Sequence, residues 1–147
     1  MPSDPTSWMV TIHTAATLYM VGLIWFVQWV HYPLMGEVGR EGFARYEALH
    51  TQRTTWVVGP PMLLELGATA WLCWQPPVGV SAGLPWLGAG LLALVWLATA
   101  TLQVPAHGRL SGGFEADVHR RLVGSNWIRT VAWTLRGGIA LAIAAAS

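Results

Sequence analysis

The sequence has very little charge, and this excludes several classes of protein. Only 10% of its 147 residues are charged, and the basic residues are eight arginines with no lysine. A soluble domain usually carries about 25% charged residues. A nucleic-acid partner would require a cationic surface, whereas the net charge here is +1. The single cysteine, Cys73, excludes a disulfide framework and every cysteine-based zinc motif.

The chain is instead rich in apolar residues, and these occur in four long runs. Hydrophobic residues make up 54% of the chain, and its mean hydropathy is +0.46. A transmembrane helix needs about 20 mostly apolar residues, and four runs meet this requirement: 8–30, 54–74, 84–104 and 126–146. A short soluble chain cannot bury four helices that are apolar all round. The sequence therefore predicts an all-α integral membrane four-helix bundle, forming one domain over residues 1–147 in the lipid bilayer.

The arginines predict how the bundle is oriented. Six of the eight lie in the linkers 31–53 and 105–125, whereas the connection 75–83 has no charged residue. The positive-inside rule places both basic linkers in the cytoplasm, so both termini and the 75–83 turn are expected outside. The N-terminus lacks the basic region of a signal peptide, and we expect the first span to remain in the mature protein.

Local patterns predict amphipathic helix in the linkers and an irregularity in the second span. Glu41 and Arg45 stand four residues apart, as in a short helix that either lies on the membrane surface or runs into the second span. Pro60 and Pro61 remove two backbone donors, which predicts a kink or a restarted helix.

Two opposite charges fall at the same predicted depth in the membrane. Glu65 lies eleven residues beyond Thr54, and Arg136 lies ten residues beyond Asn126. At a rise of about 1.5 Å per residue, both side chains sit near mid-membrane, where an unpaired charge is costly. We therefore predict a buried Glu65–Arg136 pair, with Tyr19 of the first span as a candidate hydrogen-bond partner.

Asn126, Arg129 and Arg136 form a polar stripe on the last span. Arg129 and Arg136 are seven residues apart and so share a helical face. The stripe either fixes helix packing or binds an anion, a quinone-like carbonyl or a cofactor propionate. In the second interpretation, Glu65, Arg129 and Arg136 are candidate catalytic residues.

Four of the five histidines lie in or beside the basic linkers, which suggests a metal site. Imidazole is a common ligand for iron, copper and zinc. Glu47 and His50 have the Glu-x-x-His spacing of di-iron bundles, and Glu115 and His119 offer a second carboxylate–imidazole pair. The candidate metal ligands are His31, Glu47, His50, His107 and His119. In the alternative interpretation these are ordinary boundary histidines, and the sequence His31-Tyr32-Pro33 ends the first helix.

One histidine, His13, lies on the other side of the membrane, about one turn inside the first span. It is the candidate axial ligand of a haem. His13, Asn126 and Tyr19 are the candidate cofactor-binding residues, and the candidate cofactors are haem, iron and copper.

Three segments carry a resemblance to a known family. The run HYPLMGEVGREGFARYEALHTQRTTWVVGPPMLLEL, followed by QVPAHGRL and LVGSNWIRT, resembles small four-span bacterial membrane proteins related to the anthrone-oxygenase-like group. The similarity covers most of the chain from His13 onward and implies an oxygenase or related redox activity. The matching positions are His31, Pro33, His50, Arg53, Pro60, Glu65, Pro105, His107, Asn126, Trp127 and Arg129. The early His13 is also similar to bacterial membrane protoporphyrinogen oxidase, but that family relies on an intramembrane lysine.

The sequence leaves two main functions open. The first is a membrane-embedded redox enzyme, oxygenase- or oxidase-like, that acts on a hydrophobic small molecule at a polar site inside the bundle. The second is a non-catalytic helical subunit or assembly factor of a larger membrane complex. A small transporter is disfavoured because four spans make a narrow pathway unless the protein forms a homo-oligomer. The expected location is the bacterial inner (plasma) membrane.

Overall fold

The computed structural model describes residues 4–147 and contains four long helices. They are α1 (Pro5–Met35), α2 (Arg40–Trp74), α3 (Gly83–Leu110) and α4 (Ala116–Ala146), and no strand occurs within residues 4–147. Each helix is long and apolar enough to cross a membrane. The predicted all-α four-helix bundle is therefore confirmed, and the protein has the architecture of a multi-pass membrane protein.

The helices extend well beyond the spans that hydropathy predicts. They contain 28 to 35 residues, or roughly 42–52 Å of helix, against about 30 Å of hydrocarbon. The predicted linker helix runs into the second span as the first part of α2, so it does not lie separately on the membrane surface. The second basic linker is likewise mostly helix, divided between the end of α3 and the start of α4.

Prolines lie inside three of the four helices without ending them. The helix α2 continues through Pro60 and Pro61, so no restarted helix occurs there, and the alternative of a kink stays a prediction. The segment His31-Tyr32-Pro33 does not end α1, which continues to Met35. Instead, α1 and α3 each contain one π turn, Val27–His31 and Thr99–Gln103. Each π turn ends two residues before a proline, Pro33 or Pro105, whose ring and missing N–H disfavour ordinary α-helical hydrogen bonding in the preceding turn.

The four helices pack in the order α2–α1–α4–α3. Helix α1 packs against both α2 and α4, and α3 packs mainly against α4, whereas α2 and α3 touch each other much less. We call the end of the bundle formed by Met35, Arg40, Leu110 and Ala116 the histidine end. The arginines of both basic linkers belong to this end.

The interior contains three apolar clusters along the bundle axis. The middle cluster includes Met20, Ile24, Met62 and Trp133, and it separates a cluster at the histidine end from one near the termini. Many large apolar side chains face outward, as expected for a lipid-facing surface; the most exposed tryptophans are Trp8, Trp29, Trp56, Trp74 and Trp86. Polar side chains are buried between and beside the clusters, and these positions contain the candidate site.

Candidate functional site

The predicted Glu65–Arg136 ion pair is present at the centre of the bundle. Both side chains are buried, and Arg136 Nε donates to Glu65 Oε1 at 2.9 Å. Thr17 Oγ1 donates to the same oxygen at 2.9 Å, and Trp133 Nε1 donates to Oε2 at 3.0 Å. Both carboxylate oxygens therefore have donors, so the pair needs no ligand to satisfy it.

The expected role of Tyr19 in this pair is wrong. Its side chain is 50% exposed on the outer surface of α1, whereas Thr17 is completely buried and bonds the carboxylate. Two residues correspond to about 200° of rotation around a helix, so residues at nearly the same depth point in almost opposite directions. The remaining contacts of Arg136 are to Thr69 Oγ1, at 3.1 Å, and to the carbonyl oxygen of Gly88.

A second buried polar layer lies two helical turns closer to the histidine end. Asn126 Nδ2 donates to Gln28 Oε1 at 2.9 Å, and Thr130 Oγ1 donates to the same oxygen at 3.3 Å. Arg129 donates to Asn126 Oδ1 from two nitrogens, Nε at 3.0 Å and Nη2 at 2.5 Å. Asn126 thus orients Arg129 through a neutral amide, and α4 is joined to α1 by buried hydrogen bonds.

Arg129 differs from Arg136 in the charge of its partners. Its Nη2 donates to Gln103 Oε1 and to the Tyr32 hydroxyl, each at 3.3 Å, and its Nη1 makes a long contact of 3.4 Å to Thr99 Oγ1. All of these acceptors, like Asn126, are neutral. Within residues 4–147, Arg129 forms no salt bridge, although it is only 9% exposed.

Three of the predicted metal ligands come together at the histidine end. Glu47, His50 and His107 each offer a ligand atom, and the three atoms lie within 4.8 Å of one another. The Nδ1 of His107 is 2.6 Å from Glu47 Oε1. Glu47 is completely buried, and its other oxygen, Oε2, has no hydrogen-bond partner among residues 4–147. We call these three residues the Glu–His–His group.

Two residues of α1, His31 and Tyr32, are at hydrogen-bonding distance from the two histidines of this group. His31 Nε2 lies 2.9 Å from His50 Nδ1, and the two rings are stacked. The Tyr32 hydroxyl lies 3.0 Å from His107 Nε2. Since Tyr32 also contacts Arg129, a continuous hydrogen-bonded chain links Glu47, His107, Tyr32 and Arg129.

His119 does not join the other candidate ligands. Its Nε2 lies 2.7 Å from the backbone carbonyl oxygen of Tyr32, and its ring occupies the space that a Cβ at Gly36 would approach. The expected Glu115–His119 pair is also not formed, because Glu115 accepts a hydrogen bond from Arg109 at 2.6 Å. These residues connect α1, α3 and α4 near their ends.

The candidate cofactor residues His13, Asn126 and Tyr19 do not form one site. His13 is 3% exposed and its Nδ1 has no partner among residues 4–147, but Asn126 is bonded to Gln28. His13 and Gln28 are fifteen residues apart on α1, or about 22 Å along the helix. Tyr19 points outward between these levels.

A cavity of about 440 Å³ lies between α1, α2 and α3, with Arg129 and Trp133 of α4 also in its lining, and His50 and His107 of the Glu–His–His group line it. Its walls are mostly apolar, with Met20, Ile24 and Met62 on one side, and it is partly open to the surface. The polar residues that line it are Tyr32, His50, Thr51, Thr54, Thr55, Thr99, Gln103, His107, Ser111 and Arg129. The loose contact between α2 and α3 accounts for the space. Pockets of this size and composition are typical of small-molecule sites.

Several residues of this site were missed from the sequence. Gln28 and Gln103 are both buried, and each belongs to a π turn. Tyr32 directly follows the first π turn. The available signal was the repeated proline two residues after each turn, because π turns occur often at functional sites. Hydropathy does not carry this information, since both glutamines lie at the ends of apolar runs.

Comparisons of the chain with protein-family models, with curated proteins and with solved structures find no match. The function is therefore inferred from the chemistry of the Glu–His–His group and its cavity.

Proposed function

We propose that the protein is a membrane-embedded redox enzyme of the oxygenase or oxidase type. In this proposal the Glu–His–His group holds a transition metal, iron or copper, and the adjoining cavity binds a hydrophobic substrate. The observation that carries the proposal is the convergence of Glu47, His50 and His107 beside a mostly apolar cavity that His50 and His107 line. Two imidazoles and one carboxylate with open positions are the donor set of non-haem iron oxygenases.

The buried, unbonded oxygen of Glu47 supports a metal in this group. A carboxylate oxygen without a partner in the protein interior is costly, because its lost hydration is not replaced. The Oε2 atom of Glu47 is such an oxygen, whereas both oxygens of Glu65 have donors. A cation bound between Glu47 and the two imidazoles would satisfy it.

The surroundings of the group support a role in catalysis rather than in folding alone. A purely structural metal site is normally closed by four protein ligands. Here three ligands meet beside a cavity, so a metal would keep positions accessible to a substrate. His31 would orient His50, and Tyr32 would orient His107, as the hydrogen-bonding partners of ligands usually do.

The charge distribution supports a cytoplasmic location for the histidine end, in the inner membrane of a bacterium. Six of the eight arginines belong to this end; they are Arg40, Arg45, Arg53, Arg109, Arg120 and Arg121. The positive-inside rule then assigns both termini to the opposite side.

Membership of the anthrone-oxygenase-like group is part of the same proposal. The resemblance covers residues that are widely separated in the chain, among them His31, His50, His107, Asn126 and Arg129. All five belong to the connected polar network around the cavity. This clustering supports a shared site, and the redox activity follows from the resemblance.

Metal analysis of the detergent-purified protein tests the proposal. We expect near-stoichiometric iron or copper in the native protein. Glu47→Gln, which removes the negative charge at a ligand, should lower metal affinity by at least about tenfold. Glu41→Gln is the matched control, because Glu41 is exposed on the same helix. For the histidines, His107→Gln should lose metal and His119→Gln should retain it, since His119 lies outside the group.

A colourless, metal-free native protein that takes up neither ion would contradict this function. If such a protein also co-purified with one large complex, the non-catalytic subunit would be the better explanation.

A further inference from the structure

Arg129 is a buried cation that has no counter-ion in the part of the chain that the structure describes. Its four hydrogen-bonding partners, Asn126, Gln103, Tyr32 and Thr99, are all uncharged. A buried charge is costly unless an opposite charge or a strong set of hydrogen bonds compensates it. Neutral acceptors supply only part of this compensation.

Arg136 provides the comparison within the same helix. It is 1% exposed, and the carboxylate of Glu65 lies 2.9 Å from its guanidinium. Among residues 4–147, the fold therefore supplies an acid for one buried arginine of α4 and none at hydrogen-bonding distance for the other. Glu47 is the carboxylate that the hydrogen-bonded chain reaches from Arg129, but Tyr32 and His107 stand between them.

Arg129 also has unused donor capacity and lines the cavity. Its Nη1 carries two N–H groups, and within residues 4–147 the sole acceptor of this nitrogen is Thr99 Oγ1, at 3.4 Å. A guanidinium presents its donors as a planar fork that fits a carboxylate. The cavity therefore combines an incompletely satisfied cation with an apolar wall formed by Met20, Ile24 and Met62.

We infer that the cavity binds an amphiphilic carboxylate, with its anionic group on Arg129 and its apolar part along the wall of α1 and α2. The inference deepens the proposed function by naming the substrate class of the same site. A metal in the Glu–His–His group would add further positive charge at this end, which favours an anionic rather than a neutral ligand.

Spin-labelled stearic acid tests the inference, with its methyl ester as the uncharged match. The native protein is placed in phosphatidylcholine vesicles at a pH where the acid is ionised, and electron paramagnetic resonance measures the immobilised fraction. We expect the acid to bind at least tenfold more tightly than the ester. Arg129→Gln should bring this ratio close to one. Arg53→Gln, which removes an exposed arginine of α2 at the same end, should leave the ratio unchanged.

A second variant tests the cavity without altering Arg129. Val104 lines the cavity and is 60% exposed, so Val104→Trp should narrow the cavity with little effect on the core. We expect weaker retention of the acid and of the ester. Equal retention of acid and ester by the native protein would overturn the inference, and so would full retention by Val104→Trp or an unchanged preference in a folded Arg129→Gln protein.

The same assay on Glu47→Gln separates this inference from the proposed function. The charge of Arg129 does not depend on a metal, so the preference for the acid should persist in Glu47→Gln. Loss of metal with a retained acid preference in Glu47→Gln is the result expected if both proposals hold, whereas a native protein that binds no metal yet prefers the acid would contradict the redox proposal alone. Stoichiometric metal binding by the native protein without any preference for the acid would contradict the carboxylate inference alone.

Discussion

At the scale of single residues, Glu65 shows how a buried charge connects helices. It belongs to α2, accepts a hydrogen bond from Thr17 of α1, and pairs with Arg136 of α4. Arg136 in turn donates to the carbonyl oxygen of Gly88 in α3. All four helices therefore meet at one ion pair. Polar contacts of this kind fix which faces of the helices meet. Lipid-exposed apolar surface does not fix this choice.

Glu65→Gln should destabilise the protein strongly. The change leaves the guanidinium of Arg136 buried without its counter-charge, and breaking a buried pair costs about 3–5 kcal/mol. Glu41→Gln is the control, because Glu41 is exposed and such changes usually stay within about 0.5 kcal/mol. Thermal unfolding in detergent measures both. Equal midpoints for the two variants would contradict a stabilising role for the pair.

At the scale of helices, the π turns decide which side chains enter the site. A π turn contains one residue more than the corresponding α-helical turn, so it shifts the helical face presented by the residues around it. Gln103 lies in the π turn of α3, and His107 follows it by four residues, so both face the cavity. In α1, the π turn likewise precedes Tyr32. Both turns therefore orient residues of the candidate site.

Single-residue deletions test this account of α3. Deleting Leu102 removes one residue from the π turn, so the helix can become regular while His107 keeps its face. Deleting Leu94, in the regular part of α3, instead rotates the following residues by about 100° relative to the preceding ones. Leu102 and Leu94 are 40% and 42% exposed, so the two deletions remove similar side chains from similar surroundings.

If the Glu–His–His group binds metal as proposed, we expect the protein lacking Leu102 to fold and to retain the metal, and the protein lacking Leu94 to lose it. Metal content and thermal unfolding of the two purified proteins measure the difference. Equal loss in both would show that the extra residue does not set the position of His107.

At the scale of the whole molecule, the bundle has two chemically different ends. The histidine end contains the Glu–His–His group and six arginines, whereas the opposite end has the start of α1, the end of α4 and the 75–82 connection, which carries no charged side chain. The cavity lies toward the histidine end and is partly open to the surface.

Cysteine labelling tests the orientation of the two ends. Glu37 and Ser81 are exposed in connections at opposite ends of the bundle. In a Cys73→Ser background, an impermeant maleimide applied to intact cells should modify Ser81→Cys directly, and Glu37→Cys only after permeabilisation. The reverse pattern would place the histidine end outside the cytoplasm. Labelling of both sites in intact cells would contradict a four-span topology.

The sequence alone determined the number of spans, because the thickness of the hydrocarbon sets the length of an apolar run. It also determined the Glu65–Arg136 pair, because the rise per residue of a helix is constant and depth can be counted. Glu47, His50 and His107 were recognised as candidate ligands from residue type and location. Each of these inferences depends on position along a helix axis.

Only the tertiary structure decided which side chains face one another. Because of their different rotation about the helix axis, Thr17 faces the carboxylate of Glu65 and Tyr19 does not. Packing turned His119 toward the carbonyl oxygen of Tyr32, away from the other histidines. Packing also left Arg129 beside the cavity with no acidic partner in the described part of the chain. Such choices depend on contacts between helices that are distant in the chain, and periodicity within one helix does not encode them.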